Sequence, residues 1–201
     1  MQQNFLFEDE VDIYNKDDFV IHSGNSLVYE VLTSGSVLDC NKFLLTGSKG
    51  SGKTFICNIW QSIKINATKF VLEDIEENEQ NEEELLHFIN DVDIQKGILL
   101  ITSCKKLNEI KFNLPDLQSR FQNFYNIQLL DLDEDSKKEI LQKMLNRKQL
   151  FLDNELLGLV AKKISSNYQK INIFVEKLSK INKINAKSIN ELLNDISGYL
   201  I

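Results

Sequence analysis

The chain has few of the residues that build disulfide-linked or zinc-binding domains. Its 201 residues contain three cysteines, two histidines and one proline. The cysteines, Cys40, Cys57 and Cys104, are odd in number and widely spaced, which disfavours a disulfide framework and favours a reducing compartment. No cysteine pair has the spacing of zinc ligands, and no combination of serine, histidine and aspartate suggests a hydrolytic triad.

Long apolar runs are also absent. None approaches the roughly 20 residues that a helix needs to cross a bilayer. The N-terminal sequence lacks the basic start and the apolar core of a signal peptide. We therefore expect a cytoplasmic protein that does not bind membranes. A hydrophobic content of 42% is enough for one domain, or for one domain with a small appendage.

Charge is distributed unevenly along the chain. The formal net charge is -7, yet residues 136 to 187 carry 12 of the 23 Lys and Arg residues and only 4 of the 30 acidic residues. A basic segment can mark a surface that binds nucleic acid. Here the lysines are scattered singly among apolar positions, which is typical of solvated helix faces. We therefore expect any contact with DNA to be weak or indirect.

Glycine is scarce, with 8 residues in the chain, but three of them fall in the octapeptide Gly-Ser-Lys-Gly-Ser-Gly-Lys-Thr, residues 47–54. This is the phosphate-loop pattern, in which two glycines separated by four residues precede a lysine and a hydroxyl residue. Backbone N–H groups of such a loop surround phosphate oxygens, and the following helix points its positive end at them. The predicted nucleotide-binding residues of this loop are Gly47, Ser48, Gly50, Ser51, Gly52, Lys53 and Thr54. Lys53 would reach the β- and γ-phosphates, and the hydroxyl of Thr54 would bind Mg²⁺.

Apolar segments flank this loop in the order that the motif requires. Residues 42–46 read as a strand and residues 55–60 as a helix. A second predicted strand, residues 69–74, ends in Glu73 and Asp74, the arrangement by which phosphate-loop ATPases hold Mg²⁺ through water and orient the attacking water. A third, residues 98–103, ends in polar residues that would face the phosphates.

Beyond residue 133 the pattern becomes entirely helical. Another strand is predicted over residues 125–132, and helical periodicity follows over residues 134–148, 153–165, 170–182 and 187–199. Strands that alternate with helices imply a parallel α/β sheet. We therefore predict an α/β nucleotide-binding domain over residues 11–133 and an α-helical lid domain over residues 134–201, preceded by an N-terminal peptide over residues 1–10.

Together these motifs resemble those of the DnaA-type AAA+ P-loop ATPases of bacterial replication initiation, and most of all their short, Hda-like regulators. The resemblance implies that Val20 and Ile21 lie beside the adenine of ATP or ADP and that Thr102 is the first sensor. Residues 114–121 are similar to the family segment that carries the arginine finger, so Arg120 would contact the ATP of a neighbouring subunit. An ordinary ion pair at a helix end is the alternative for this arginine. The resemblance makes a DnaA-type initiator the expected partner and leaves self-association open.

The peptide at residues 3–7, Gln-Asn-Phe-Leu-Phe, resembles the family's docking peptide for the sliding clamp of DNA polymerase. The resemblance assigns clamp contacts to Gln3, Phe5, Leu6 and Phe7. A tail that folds back on the protein's own surface is the alternative. We expect no DNA-binding helix-turn-helix domain after the lid, which favours a regulator over an initiator.

Three departures from the family pattern modify these expectations. Glu73 stands where the initiators usually have aspartate, and Gln169 stands where the second sensor is normally arginine. Only residues 55–68 separate the loop from the next strand, which implies a sheet that lacks one edge strand. We expect nucleotide binding with weak intrinsic hydrolysis. The alternatives are a self-sufficient ATPase such as a helicase loader, and a nucleotide-stabilised scaffold without catalysis.

Overall fold

The computed structural model describes residues 19–33, 40–76, 81–181 and 183–197. Within these ranges the chain forms a four-stranded parallel sheet and eight α-helices. The strands are β1 (Lys42–Thr46), β2 (Lys69–Leu72), β3 (Ile98–Ser103) and β4 (Tyr125–Gln128). The helices of the α/β part are α1 (Ser26–Thr33), α2 (Lys53–Ser62), α3 (Glu82–Ile94) and α4 (Pro115–Gln122). The helices of the lid are α5 (Glu134–Arg147), α6 (Asn154–Lys163), α7 (Tyr168–Leu178) and α8 (Ala186–Ser197).

The sheet has the order β2-β3-β1-β4, so strands that are distant in sequence are neighbours in space. In the register of the pairing, Thr46 lies beside Ser103 on one side and beside Gln128 on the other. Because all strands are parallel, their carboxyl ends meet at one edge of the sheet. The loop that follows β1 therefore emerges beside the ends of β3 and β4.

Each face of the sheet is covered by apolar side chains of helices. Leu44, Leu99 and Ile101 pack with α3 and α4 on one face, whereas Leu45 and Leu100 pack with α1 and α2 on the other. A separate apolar cluster joins the four lid helices and includes Val20 and Leu132. Val20, which the sequence predicts to lie beside the adenine, is therefore packed against the lid.

The predicted order of elements is confirmed, with differences at the strand ends. Strand β2 ends at Leu72, so both carboxylates that follow it belong to a loop. Strand β4 ends at Gln128 rather than at residue 132: the Leu129 N–H still bonds to Thr46, the last residue of β1, but the Leu130 N–H bonds to Gly24, outside the sheet. Among the described residues β2 is an edge strand, as expected for a sheet that lacks the strand beyond it.

Side-chain caps define the starts of three lid helices. Asp133, Asp153 and Asn167 accept hydrogen bonds from the backbone N–H groups of the first turns of α5, α6 and α7. Such caps satisfy donors that have no partner inside the helix. In the part of the chain that the structure describes, no helix combines the length and the apolar character needed to cross a bilayer.

Candidate functional site

The phosphate loop lies between the end of β1 and the start of α2, as the motif requires. Gly50 and Gly52 have φ values of 77° and 102°, in the left-handed region that favours glycine. The Ser51 N–H donates to the Ser48 carbonyl at 3.1 Å and closes the turn. The Ser51 hydroxyl is buried and has no hydrogen-bond partner among the described residues. A buried hydroxyl without a partner is costly unless a ligand satisfies it.

Lys53 lies in the first turn of α2, and its side chain is buried under the loop. Its ammonium donates to the carbonyl oxygens of Gly47 at 3.1 Å and Ser48 at 3.3 Å. It also lies 3.1 Å from the sulfur of Cys104 and 3.6 Å from a carboxylate oxygen of Asp74. The charge of Lys53 is therefore concentrated where the loop, β2 and β3 converge.

Thr54 and Glu73 are brought together, as the predicted Mg²⁺ site requires. The Thr54 hydroxyl donates to a carboxylate oxygen of Glu73 at 2.5 Å. Burial raises the pKa of Glu73 and nearby Asp74 adds to that rise, whereas the Thr54 hydrogen bond and the charge of Lys53 oppose it. A hydroxyl and a carboxylate are oxygen ligands of the kind that Mg²⁺ prefers, and a divalent cation would offset the cost of a partly buried negative charge. The residues fit a magnesium ion.

Asp74 is held at the end of β2 by the residue predicted as the first sensor. The Asp74 N–H donates to the buried hydroxyl of Thr102 at 2.8 Å, and the Asp74 carboxylate lies 3.5 Å from the same hydroxyl. The backbone of Asp74 has φ 45°, a left-handed value that few residues other than glycine adopt. Thr102 thus fixes a carboxylate beside the phosphate loop, where a general base for water would stand.

The turn predicted to lie beside the adenine is organised by Asn25, a residue that sequence reasoning treated only as part of the turn. The Asn25 amide donates to the Val20 carbonyl at 2.8 Å and accepts from the His22 N–H at 2.8 Å. Val20 is buried, whereas Ile21 is 51% exposed. The sequence signal that could have identified Asn25 is its position directly after Ser-Gly, because asparagine in a turn often bonds to nearby backbone groups.

His22 adds a second contact within this turn. Its Nδ1 accepts a hydrogen bond from the Gly24 N–H at 3.0 Å. Burial lowers the pKa of His22, and the carboxylates of Asp133 and Glu139 oppose that shift. Only the unprotonated Nδ1 can accept this bond.

The lid contacts the phosphate loop through the start of α7. The Tyr168 N–H donates to the Gly50 carbonyl at 2.9 Å, and the Asn167 side chain lies against the same glycine. The Tyr168 ring lies over Gly52 and meets Phe55 edge to face at 6.2 Å. Gln169, predicted at the position of the second sensor, is exposed in the same turn.

Arg120 lies in the last turn of α4, away from the loop of its own chain. Its guanidinium is 3.4 Å from Asp116 and 3.7 Å from Asp93. Asp93 also pairs with Lys42, which begins β1, whereas the phosphate loop follows the end of β1. The five residues of the strand place its two ends about 13 Å apart. The residues proposed for the clamp, Gln3, Phe5, Leu6 and Phe7, lie outside the described residues.

This fold and this site define a class. The sheet is parallel and carries a phosphate loop after β1, paired acidic residues after β2 and a polar residue at the tip of β3, and a helical lid follows it. This is the AAA+ arrangement of a P-loop NTPase. Solved structures share it. Domain III of DnaA from Thermotoga maritima superposes with a TM-score of 0.72 at 20% identity, covering 92% of this chain and 98% of that one. AMPPCP-bound DnaA from Aquifex aeolicus has a TM-score of 0.73 at 18% identity, covering 91% of this chain and 71% of that one.

The sequence comparison points to the same relatives. The chromosomal replication initiator DnaA of Treponema denticola is 24% identical over 232 aligned positions, which cover 92% of this chain and 50% of the relative. No protein-family model matches the chain. The relatives to which the sequence is similar are thus DnaA initiator proteins, and the solved structures that share its fold include DnaA and the RuvB branch migration motor of Thermotoga maritima. The chain spans about half the length of the curated relatives that it matches.

Proposed function

We propose that the chain binds an adenine nucleotide, ATP or ADP, together with Mg²⁺ at the phosphate loop. The proposal is supported by the buried Ser51 hydroxyl, the buried Lys53 and the Thr54–Glu73 pair, which bring a hydroxyl, a cation and two oxygen ligands for a metal together around the loop. DnaA structures with AMPPCP bound share the fold, which supports an adenine nucleotide. When bound, Mg²⁺ would neutralise phosphate charge, while Thr54 and Glu73 would position it.

Beyond binding, we propose that the chain regulates a DnaA-type initiator by supplying Arg120 in trans. The position of Arg120 carries this proposal, because an arginine at the far end of β1 cannot reach the nucleotide of its own loop. Its side chain is partly exposed and therefore accessible to a second subunit. Arginine stabilises the charge that develops on a transferred phosphoryl group. Hydrolysis on the initiator would return it to the ADP form and switch off initiation in the cytoplasm.

The trans mechanism is tested by measuring ATP hydrolysis by a purified DnaA-type initiator with and without this protein. Arg120→Ala should lose the stimulation, by roughly 10³- to 10⁵-fold if the finger carries the whole effect. Arg147→Ala is the matched control, since Arg147 ends α5 in the lid and should leave stimulation intact. Full stimulation by the Arg120→Ala protein would refute the mechanism.

We also propose that residues 3–7 dock the protein on the sliding clamp. The support is the Gln-Asn-Phe-Leu-Phe sequence, whose glutamine and paired aromatic residues suit an apolar pocket. Binding of the purified protein to the clamp should be lost on Phe5→Ala together with Phe7→Ala. Phe151→Ala is the control, because Phe151 is a highly exposed phenylalanine of the lid. Clamp binding that survives the double substitution would refute this docking mode.

A second candidate function is a self-sufficient ATPase of the helicase-loader kind. The observation that favours it is the arrangement of Asp74, which is held by Thr102 and lies 3.6 Å from Lys53; in this proposal Asp74 would serve as the catalytic base. Such a protein would hydrolyse ATP steadily by itself, and Asp74→Asn would abolish that hydrolysis without loss of nucleotide binding. Hydrolysis that appears only with the initiator would favour the regulator.

A further inference from the structure

The lid and the phosphate loop are joined by direct contacts that involve no nucleotide. The Asn167 amide donates to the Lys49 carbonyl at 3.4 Å, and the Tyr168 N–H donates to the Gly50 carbonyl at 2.9 Å. A side-chain carbon built on Gly50 would lie 1.9 Å from the Asn167 amide nitrogen, so the asparagine occupies the space beside that glycine. We call the contacts of Asn167 and Tyr168 with Lys49 and Gly50 the lid clasp.

The lid clasp fixes the direction of two peptide groups of the loop. All described peptide bonds are trans, so the N–H of each peptide points opposite to its carbonyl. With the carbonyls of Lys49 and Gly50 directed at the lid, the N–H groups of Gly50 and Ser51 point away from it. The Ser51 N–H accordingly bonds to the Ser48 carbonyl within the loop at 3.1 Å. Successive N–H groups turned to one side are what a phosphate-binding loop needs, and a bound phosphate would replace the Ser48 carbonyl at the Ser51 N–H.

We infer that Asn167 is a positioning residue for the phosphate loop: from the lid, it holds the loop in the phosphate-binding conformation by packing against Gly50 and by one neutral hydrogen bond to Lys49. The inference rests on the proposed nucleotide site and assigns to it a residue other than the predicted second sensor. Gln169 lies two residues further along the chain and is exposed. Because the lid clasp acts on loop amides that serve the α- and β-phosphates, it favours ADP and ATP alike.

The functional contrast is with a lid residue that senses the γ-phosphate. Such a residue would strengthen the binding of ATP and leave ADP unaffected, because only ATP carries that group. The lid clasp involves Lys49 and Gly50 at the tip of the loop and needs no γ-phosphate. The ratio of the two dissociation constants therefore separates the two roles.

The test uses Asn167→Ser in the full chain. Asn167 also caps α7, since its side-chain oxygen accepts from the Lys170 N–H at 3.0 Å. Serine is an equally good cap but is too short to reach the loop, so the helix start is preserved. The matched control is Asn81→Ser, because Asn81 caps α3 through the Glu83 N–H and takes no part in the lid clasp.

Two readouts decide the inference. Amide hydrogen exchange of residues 47–53, measured without nucleotide, should be faster in Asn167→Ser and unchanged in Asn81→Ser. The dissociation constants for ADP and ATP should rise by the same factor, about 3- to 10-fold, the effect of one hydrogen bond. Unchanged loop exchange would overturn the inference, and so would weakening confined to ATP. A wild-type protein that binds neither nucleotide would refute the proposed function alone, since exchange is measured without ligand.

Discussion

Replacing Asn25 by alanine should destabilise the protein strongly, although Asn25 lies in a turn. Asn25 is 2% exposed, and its amide pairs with the backbone of Val20 and His22 at 2.8 Å in each case. Alanine leaves the carbonyl of Val20 and the N–H of His22 without these partners. At about 1–3 kcal/mol for each of the two buried groups left unpaired, we expect a loss of about 2–6 kcal/mol in the free energy of unfolding. For a chain of this length that lowers Tm by about 4–24 °C.

Fluorescence provides the assay. Trp60 is the sole tryptophan of the chain, is buried, and packs in the same apolar cluster as Val28 and Leu32 of α1, the helix that begins after Asn25. Urea unfolding followed through Trp60 should show a lower midpoint with an unchanged slope.

The control for this experiment is Asn123→Ala. Asn123 is exposed and its amide donates only to the Ser119 carbonyl at 3.1 Å, so the loss should stay within about 0.5 kcal/mol. Equal midpoint shifts for Asn25→Ala and Asn123→Ala would refute the reasoning that unpaired buried groups set the cost.

Three further predictions concern the same region. Because burial raises the pKa of Glu73 above 4.5, ionisation of Glu73 destabilises the fold as the pH rises through that raised value. Glu73→Gln should therefore have a higher Tm than wild type at pH 7. The same variant should lose the Mg²⁺-dependent gain in nucleotide affinity, measured by calorimetry. Because the pKa of His22 is lowered, the contribution of neutral His22 to stability is complete above pH 6.5 and is lost as the pH falls through the lowered pKa. His22→Asn should flatten the dependence of Tm on pH in that range. An unchanged dependence would contradict the lowered pKa of His22. Gly50→Ala places a side chain at φ 77° against the lid and should lower the free energy of unfolding, measured in urea, by at least about 1–2 kcal/mol. Gly158→Ala, which adds a side chain in open space within α6, should raise it by about 0.5–1 kcal/mol.

Local patterns were sufficient to predict most of the fold. The phosphate loop and the periodic lid helices are encoded by neighbours in sequence, and α5 begins and ends within a residue of its prediction. Strand β4 was predicted too long because Leu129 and Leu130 are apolar and resemble strand residues, yet the Leu130 N–H bonds to Gly24 in a loop. Hydropathy does not distinguish a ladder bond from one to a loop.

Contacts between segments that are distant in the chain could not be predicted from the sequence. Asn167 reads as a helix cap, and its local pattern shows only the bond to Lys170. Its approach to Gly50 depends on how the whole lid packs on the sheet, which no local period encodes. The pairing of Arg120 with Asp93 likewise needs α3 and α4 to lie side by side, so the sequence could offer a trans role or an ion pair without choosing between them.

The ion pairs around Arg120 have a consequence for how two proteins would meet. Arg120 and Lys42 are matched by Asp93 and Asp116, so these four side chains together carry no net charge, in a chain whose overall charge is -7. A neutral site on an acidic protein exerts little long-range attraction on a triphosphate and gains little speed from electrostatic steering. The rate at which this protein meets its partner would then depend on their local concentration. Binding of both proteins to a common third molecule would raise that concentration without any new contact at Arg120.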